Sequence, residues 1–207
     1  MKHKHIVTAI VCFLVICLVL ICTTCLVHAE DNSPIWTHKM EVAHEAADIL
    51  RSYGYSENSP AIFSMKMIWL QEKENLDIMA RVIMGEGGYC DFDFKVCVGA
   101  VLRNRVEYSE YFPDSYSEAV SQPGQYTKLY LTGFEKTTRE CYEAAKYVLD
   151  GKDDVPHDVI WQANFPQGTE IWKVIEVDTG WFKSTNYFCK GVWGERPSGF
   201  GGTGYGG

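Results

Sequence analysis

The chain has 207 residues and a formal net charge of −8, with 46% hydrophobic and 14% aromatic residues. That composition can build a core and excludes disorder along the whole length. The acidic balance excludes charge-driven binding to nucleic acid, and docking on an anionic membrane or wall by charge alone. With no internal repeat, Walker A loop, GxGxxG or paired CxxC, nucleotide-driven chemistry and zinc ribbons lack support.

Lys2 and Lys4 precede residues 6–27, an uncharged run of 22. The run exceeds the roughly 7–15 apolar residues of a signal peptide. It reaches the ~20 residues needed to cross a bilayer. Val27-His28-Ala29 offers a small-residue cleavage site, so residues 1–29 fit either a cleaved signal peptide or a retained anchor. The two lysines keep the N-terminus cytoplasmic, and both readings place the chain from residue 30 outside the cytoplasm, secreted or anchored. Membrane contact then runs through residues 6–27 if the leader is kept. The exported part holds 17 basic and 27 acidic residues, a net charge of −10. Four of the eight cysteines lie in the leader; Cys90, Cys97, Cys141 and Cys189 remain, and permit two disulfides or four buried thiols.

Residues 35–52 have helical period, with Met40, Ala43, Ala47 and Leu50 on one face and Gly54 as the stop. Pro60 is placed to open a helix over 61–72, with Phe63, Met67 and Leu70 on one side. Asn75 is expected to cap a third helix whose Ile78, Val82 and Ile83 form a buried stripe, ended by Gly85-Glu86-Gly87-Gly88. Residues 94–107 are apolar almost all round and predict the central buried helix. Residues 111–127 are rich in loop signals. A further helix covers 137–149, with Gly151 as its stop. The period then changes: 159–165, 171–177 and 185–190 predict strands separated by turn signals. The fold class is α+β, helices first and a small antiparallel sheet near the C-terminus. The expected layout is a leader over 1–29, a helical pre-segment over 30–74, a catalytic domain over 75–190 and a mobile glycine-rich tail over 191–207.

Glu86 is the sharpest chemical feature. Its glycine neighbours leave the backbone bare enough to approach a ligand closely. A helix C-terminus and an apolar wall both disfavour the carboxylate, which suits a general acid. The bland alternative is a solvated acid on a helix-ending loop.

In order come LDIMARVIMGEGGYCDFDFKVCVGAVLRNRV, Phe112-Pro113-Asp114, Gln122-Pro123-Gly124-Gln125-Tyr126, VIWQANF and Asn186-Tyr187-Phe188-Cys189. This series resembles the spore cortex-lytic (SleB-type) cell wall hydrolase family over about residues 75–190. The resemblance implies a lysozyme-like fold related to lytic transglycosylases, acting on peptidoglycan glycan strands between N-acetylmuramic acid and N-acetylglucosamine. It makes Glu86 the catalytic acid and sets Gln122, Gln125 and Tyr126 on a loop over the cleft. Asn104 and Arg105 match the pair that ends the family's central helix, and they read as structural, bonding backbone beneath the site. Many members carry a second acid where this chain has Cys90, and often a histidine where it has Asn186.

The missing acid bears on mechanism. Glycoside hydrolysis generally uses two carboxylates about 5–9.5 Å apart. A lytic transglycosylase needs one, because the sugar's own 6-hydroxyl attacks, so Glu86 alone favours that route over a muramidase. Asp91 and Asp93 read first as an N-cap and a first-turn charge. Tyr89, Tyr126, Trp161 and Trp172 offer rings for a sugar's CH face, and Gln122, Gln125, Asn164 and Asn186 offer amides for its polar groups. Trp161 and Trp172 also read as sheet core. Asp153, Asp154 and Asp158 follow no calcium-loop spacing, and no metal or cofactor is expected. The competing readings are a non-catalytic wall-binding module and an envelope peptidase with Cys90 as nucleophile and His157 as base. Two turns of helix separate Cys90 from Cys97, so Cys90–Cys189 is the expected bridge.

Overall fold

The fold, seen in a computed structural model, is described for residues 33–126, 137–178, 180 and 183–191. The apolar leader and the tail beyond Gly191 lie outside these residues. Among the described residues no helix is long and apolar enough to cross a membrane.

Helix α1 runs His38–Ser52 because Thr37 caps it, accepting from the Met40 N–H at 3.3 Å. Met40, Ala43 and Ala47 are buried as their spacing predicts, while Leu50 is only half-buried. Gly54 follows at φ 84°, in the left-handed region that releases the chain from the helix.

Helix α2 is a single rod, Pro60–Gly87. Ser59 caps it and Pro60 stands at its first position. This corrects the expected break at Asn75, and the boundary drawn at 74/75 falls inside the rod. No glycine or proline stands between Ala61 and Met84 to stop propagation. Asn75 is satisfied along the helix, accepting from Gln71 at 3.2 Å and donating to Glu72 at 3.4 Å. The inward stripe is Ile62, Leu76, Met79, Ala80, Val82 and Ile83, with Ile78 partly buried beside it. Phe63, Met67 and Leu70 are 60%, 49% and 53% exposed, so the stripe they form faces away from the core.

Helix α3, Phe92–Glu107, is the centre of the fold, with every residue from Phe94 to Val106 buried. It packs against α2, against α5 (Arg139–Leu149) and against the first strand. Its buried cations all have partners. Lys95 donates to Glu140 at 2.5 Å, and Arg103 makes a two-pronged pair with Asp153. A short helix α4, Tyr116–Ser121, lies where loop was expected. Its signal is Ser115 with Glu118 three residues on: the Glu118 N–H donates to the Ser115 hydroxyl, which donates to the Glu118 carboxylate.

The sheet has strands β1 (Val159–Ala163), β2 (Glu170–Asp178) and β3 (Lys183–Lys190) in the order β1-β3-β2, both pairs antiparallel. Bulges fall between Val159 and Trp161 and between Ile171 and Lys173. Gln162 and Lys173 both stand opposite Phe188, and Asn186 lies two residues away on the same face. Phe188 turns that face into the helical core. The opposite face carries Cys189 against Trp161, Ile160 and Phe112, a second small cluster.

Candidate active site

Glu86 lies in the last turn of α2, not on a loop beyond it, and is half-buried. The Gly88 N–H still donates to Met84 at 3.1 Å. Gly87 fixes the turn against the core, because a Cβ there would stand 2.3 Å from the ring of Phe94. Phe94 is 1% exposed and meets Phe188 edge to face with centroids 5.7 Å apart. The chain Gly87–Phe94–Phe188 therefore ties the Glu86 turn to the central strand. It also puts the sheet face bearing Gln162 and Asn186 on the side of that turn. Asn186 donates to Ser184 at 3.0 Å.

A second support comes from the far end of α3. Asn104, fully buried, donates to Pro156 O at 2.8 Å and Val159 O at 3.0 Å, which pins the start of β1. Arg105, also buried, donates to Ile160 O at 2.8 Å and to the Tyr126 hydroxyl at 3.1 Å. Its guanidinium carbon lies 5.0, 5.4 and 5.6 Å from the ring centroids of Phe112, Tyr126 and Trp161. The expected role of this Asn-Arg pair as backbone anchors matches these contacts. Burial pushes the Tyr126 phenol up; Arg105 pulls it down and the charge of Glu86 pushes it up again. The charge of Glu86 on α2 is thus among those that act on Tyr126 in the Gln122–Tyr126 loop. Gln122 is the C-cap of α4 and Gln125 lies beside Tyr126 in sequence, both half-buried.

The other candidates are spread around this centre. Tyr89 is 86% exposed just past the Glu86 turn. It borders a cavity of about 740 Å³ shared with Cys90, Asp91, Phe94 and residues 175–178 of β2. Trp161 is 8% exposed and packs in the second cluster, so its ring is sheet core, as one of its two readings has it. Asn164 is exposed just beyond β1. Trp172 is half-buried against the main core, with the Lys173 ammonium 5.5 Å from its ring centroid. Asp91 is the N-cap of α3, accepting from the Phe94 N–H at 2.8 Å, and Asp93 in its first turn accepts from Lys173 at 2.6 Å. Both acids are engaged in holding α3 and β2. Sequence reasoning missed Arg105 as a ligand of Tyr126; no local spacing links positions that meet only through the fold.

The expected Cys90–Cys189 bridge is absent, and Cys90, Cys97, Cys141 and Cys189 are all free thiols. Cys90 packs on the helical core while Cys189 lies in the second cluster across the sheet. Burial raises the Cys90, Cys97 and Cys189 thiols, Cys97 to about 12. Dithiothreitol is accordingly expected to leave the melting temperature unchanged; a fall of several degrees would reveal a bridge. The peptidase reading also fails on geometry. Cys90 precedes α3, whereas His157 stacks on Tyr108 beyond its other end, with centroids 3.8 Å apart. A helix of that length holds them about 25 Å apart, and a raised thiol is the reverse of an activated one. Among the described residues no group of three or more His, Cys, Asp or Glu could hold a metal ion.

Residues 91–185 match the sequence profile of the family described as Cell Wall Hydrolase. This segment is similar to cell wall hydrolase domains. Glu86 stands just ahead of the matched stretch, on the helix that packs against it. Among solved structures, the chain is similar to the catalytic domain of the Bacillus cereus SleB protein, at 23% identity and a TM-score of 0.43, covering 57% of this chain and 91% of that one. It is also similar to the catalytic domain of the germination-specific lytic transglycosylase SleB from Bacillus anthracis, at 22% identity and a TM-score of 0.42, covering 66% and 98%. No curated protein matches the sequence.

Proposed function

We propose that the chain cleaves peptidoglycan glycan strands outside the cytoplasm as a lytic transglycosylase, with Glu86 as its one acid. Residues 6–27 serve as export signal or membrane anchor. The observation that carries this reading is the placement of Glu86, half-buried on a glycine-flanked helix end where its charge acts on Tyr126; Asp91 caps α3 and Asp93 pairs with Lys173. With one acid the chemistry closes on itself. Glu86 gives its proton to the glycosidic oxygen as the bond from C1 of N-acetylmuramic acid breaks, and N-acetylglucosamine leaves with a 4-hydroxyl. The 6-hydroxyl oxygen of the same muramic residue then bonds to C1, and its proton returns to Glu86. No water is consumed and no cofactor enters. Tyr89, Gln122, Gln125, Asn164 and Asn186 supply sugar contacts.

The test is digestion of purified sacculi by the full chain, read by mass spectrometry of the released muropeptides. Products ending in 1,6-anhydromuramic acid are expected; reducing ends would make the enzyme a muramidase and overturn the single-acid route. Asp91→Asn and Asp93→Asn are each expected to lower the rate by less than about tenfold, well short of a general-base loss. A collapse at either position would bring back a two-carboxylate mechanism.

A further inference from the structure

The cavity of about 740 Å³ beside the Glu86 turn takes no part in the steps given to Glu86. Packing sets its nearness to that turn. A Cβ on Gly87 would stand 2.3 Å from the Phe94 ring and 3.3 Å from the Cys90 sulfur, and both of these side chains line the cavity. Phe94, Ile175 and Val177 give it an apolar floor, since all three pack in or against the main core. Its β2 wall is four consecutive residues, Ile175, Glu176, Val177 and Asp178. Successive residues of a strand face opposite sides, so a space that meets all four follows the edge of the strand. Among the described residues β2 has β3 as its one strand partner. Every second residue of such an edge turns its N–H and C=O outward.

The charge around this space is of one sign. Asp91, Glu176 and Asp178 line it, and among the described residues no Lys, Arg or His does. Two of these acids are engaged. Asp91 caps α3, and Asp178 accepts from the Gly180 N–H at 2.9 Å and pairs with Lys183 at 2.6 Å. Glu176 is exposed, and its carboxylate has no hydrogen-bond or ion-pair partner among the described residues.

We propose that this cavity binds the stem peptide of the peptidoglycan strand, with Glu176 receiving the side-chain ammonium of its diamino acid. The inference rests on the reading of Glu86 as the acid that cleaves at N-acetylmuramic acid. That sugar carries the peptide on its lactyl group, so a strand with its muramic C1 at Glu86 brings peptide to the adjoining wall. An extended peptide pairs with the outward N–H and C=O groups of β2. The aliphatic part of the diamino acid lies on Phe94, Ile175 and Val177 and presents its ammonium at the acidic rim. The same acids repel a carboxylate, which selects a side chain whose end carries the ammonium alone, as lysine does.

The experiment has two arms, both on the full chain in detergent. In the first, ligand-observed NMR titration measures binding of N-acetyl-L-Ala-γ-D-Glu-L-Lys and of the same peptide acetylated at the lysine Nζ. Acetylation is expected to weaken binding to the wild type about fivefold, Glu176→Gln by the same factor, and the two together no further. Glu176→Lys should reverse the preference between the two peptides. Melting temperatures should hold, because Glu176 is exposed. The inference is overturned by no measurable binding to the wild type, or by an acetylation effect that is missing in the wild type or equal in Glu176→Gln. A concentration-dependent dimer that excludes the peptide would give the edge to a second copy of the chain and overturn it equally. In the second arm, Glu86→Gln is tested on sacculi. If it cleaves like the wild type while peptide binding responds to Glu176, the cavity is correctly assigned and the acid lies elsewhere. If it is inactive while peptide binding ignores Glu176, only the peptide site is wrong.

Discussion

Glu86→Gln is expected to lower glycan cleavage by about 10²–10⁴-fold while leaving the fold and wall binding in place. Glutamine keeps the length and hydrogen-bonding capacity of the side chain but has no proton to give a leaving oxygen. The backbone at this position is held by Gly87 against Phe94 and by the α2 hydrogen bonds, none of which involves the carboxyl group. Thermal unfolding should therefore be nearly unchanged, and the variant should still sediment with sacculi. Glu86→Asp, one methylene shorter, should fall between the two, because a displacement near 1 Å already costs a large factor in a proton transfer. Wild-type clearing by the glutamine variant would show that the acid lies elsewhere.

Most of the scaffold was legible because its signals are local. The buried run from Phe94 to Val106, the opening of α2 at Pro60, the stops at Gly54 and Gly151 and the three strands all follow from period and turn chemistry. The errors came where local signals compete with tertiary ones. Asn75 is a good cap residue, but a helix already propagating from Pro60 has no reason to restart there, and its side chain finds partners along the rod. The stripe of Phe63, Met67 and Leu70 has helical spacing, yet the buried side of α2 is the one that carries Ile62, and spacing alone does not say which of two apolar stripes is covered. The candidate site divides in the same way. Glu86 and its glycines announce themselves in one stretch. The Arg105–Tyr126 contact joins positions 21 residues apart, through a loop whose path no periodicity describes. The cysteines show the limit of spacing arguments: four exported thiols allow bridges, but the sheet places Cys189 in one apolar cluster while Cys90 packs on the other.

Phe94 should be the most costly core position for both stability and activity. Phe94→Ala is expected to destabilise the full chain by about 3–5 kcal/mol, since the ring is wholly buried between the Glu86 turn and Phe188 and nothing on the backbone can collapse into its place. Even where the variant is folded, the Glu86 turn loses the wall that fixes it, so cleavage should fall more than the folded fraction does. Gly87→Ala attacks the same contact from the other side. Its new Cβ would stand 2.3 Å from a ring atom of Phe94, and crowding of that kind costs about 1–3 kcal/mol. The two changes should not add. With the ring removed, the methyl group introduced by Gly87→Ala enters the space that Phe94 vacates. The double variant should therefore be more stable than the sum of the single losses predicts, by an amount set by the clash itself. Urea unfolding of the four proteins measures this directly. Strict additivity would mean that Gly87 and Phe94 do not press on one another, and that the Glu86 turn is held by its helix alone.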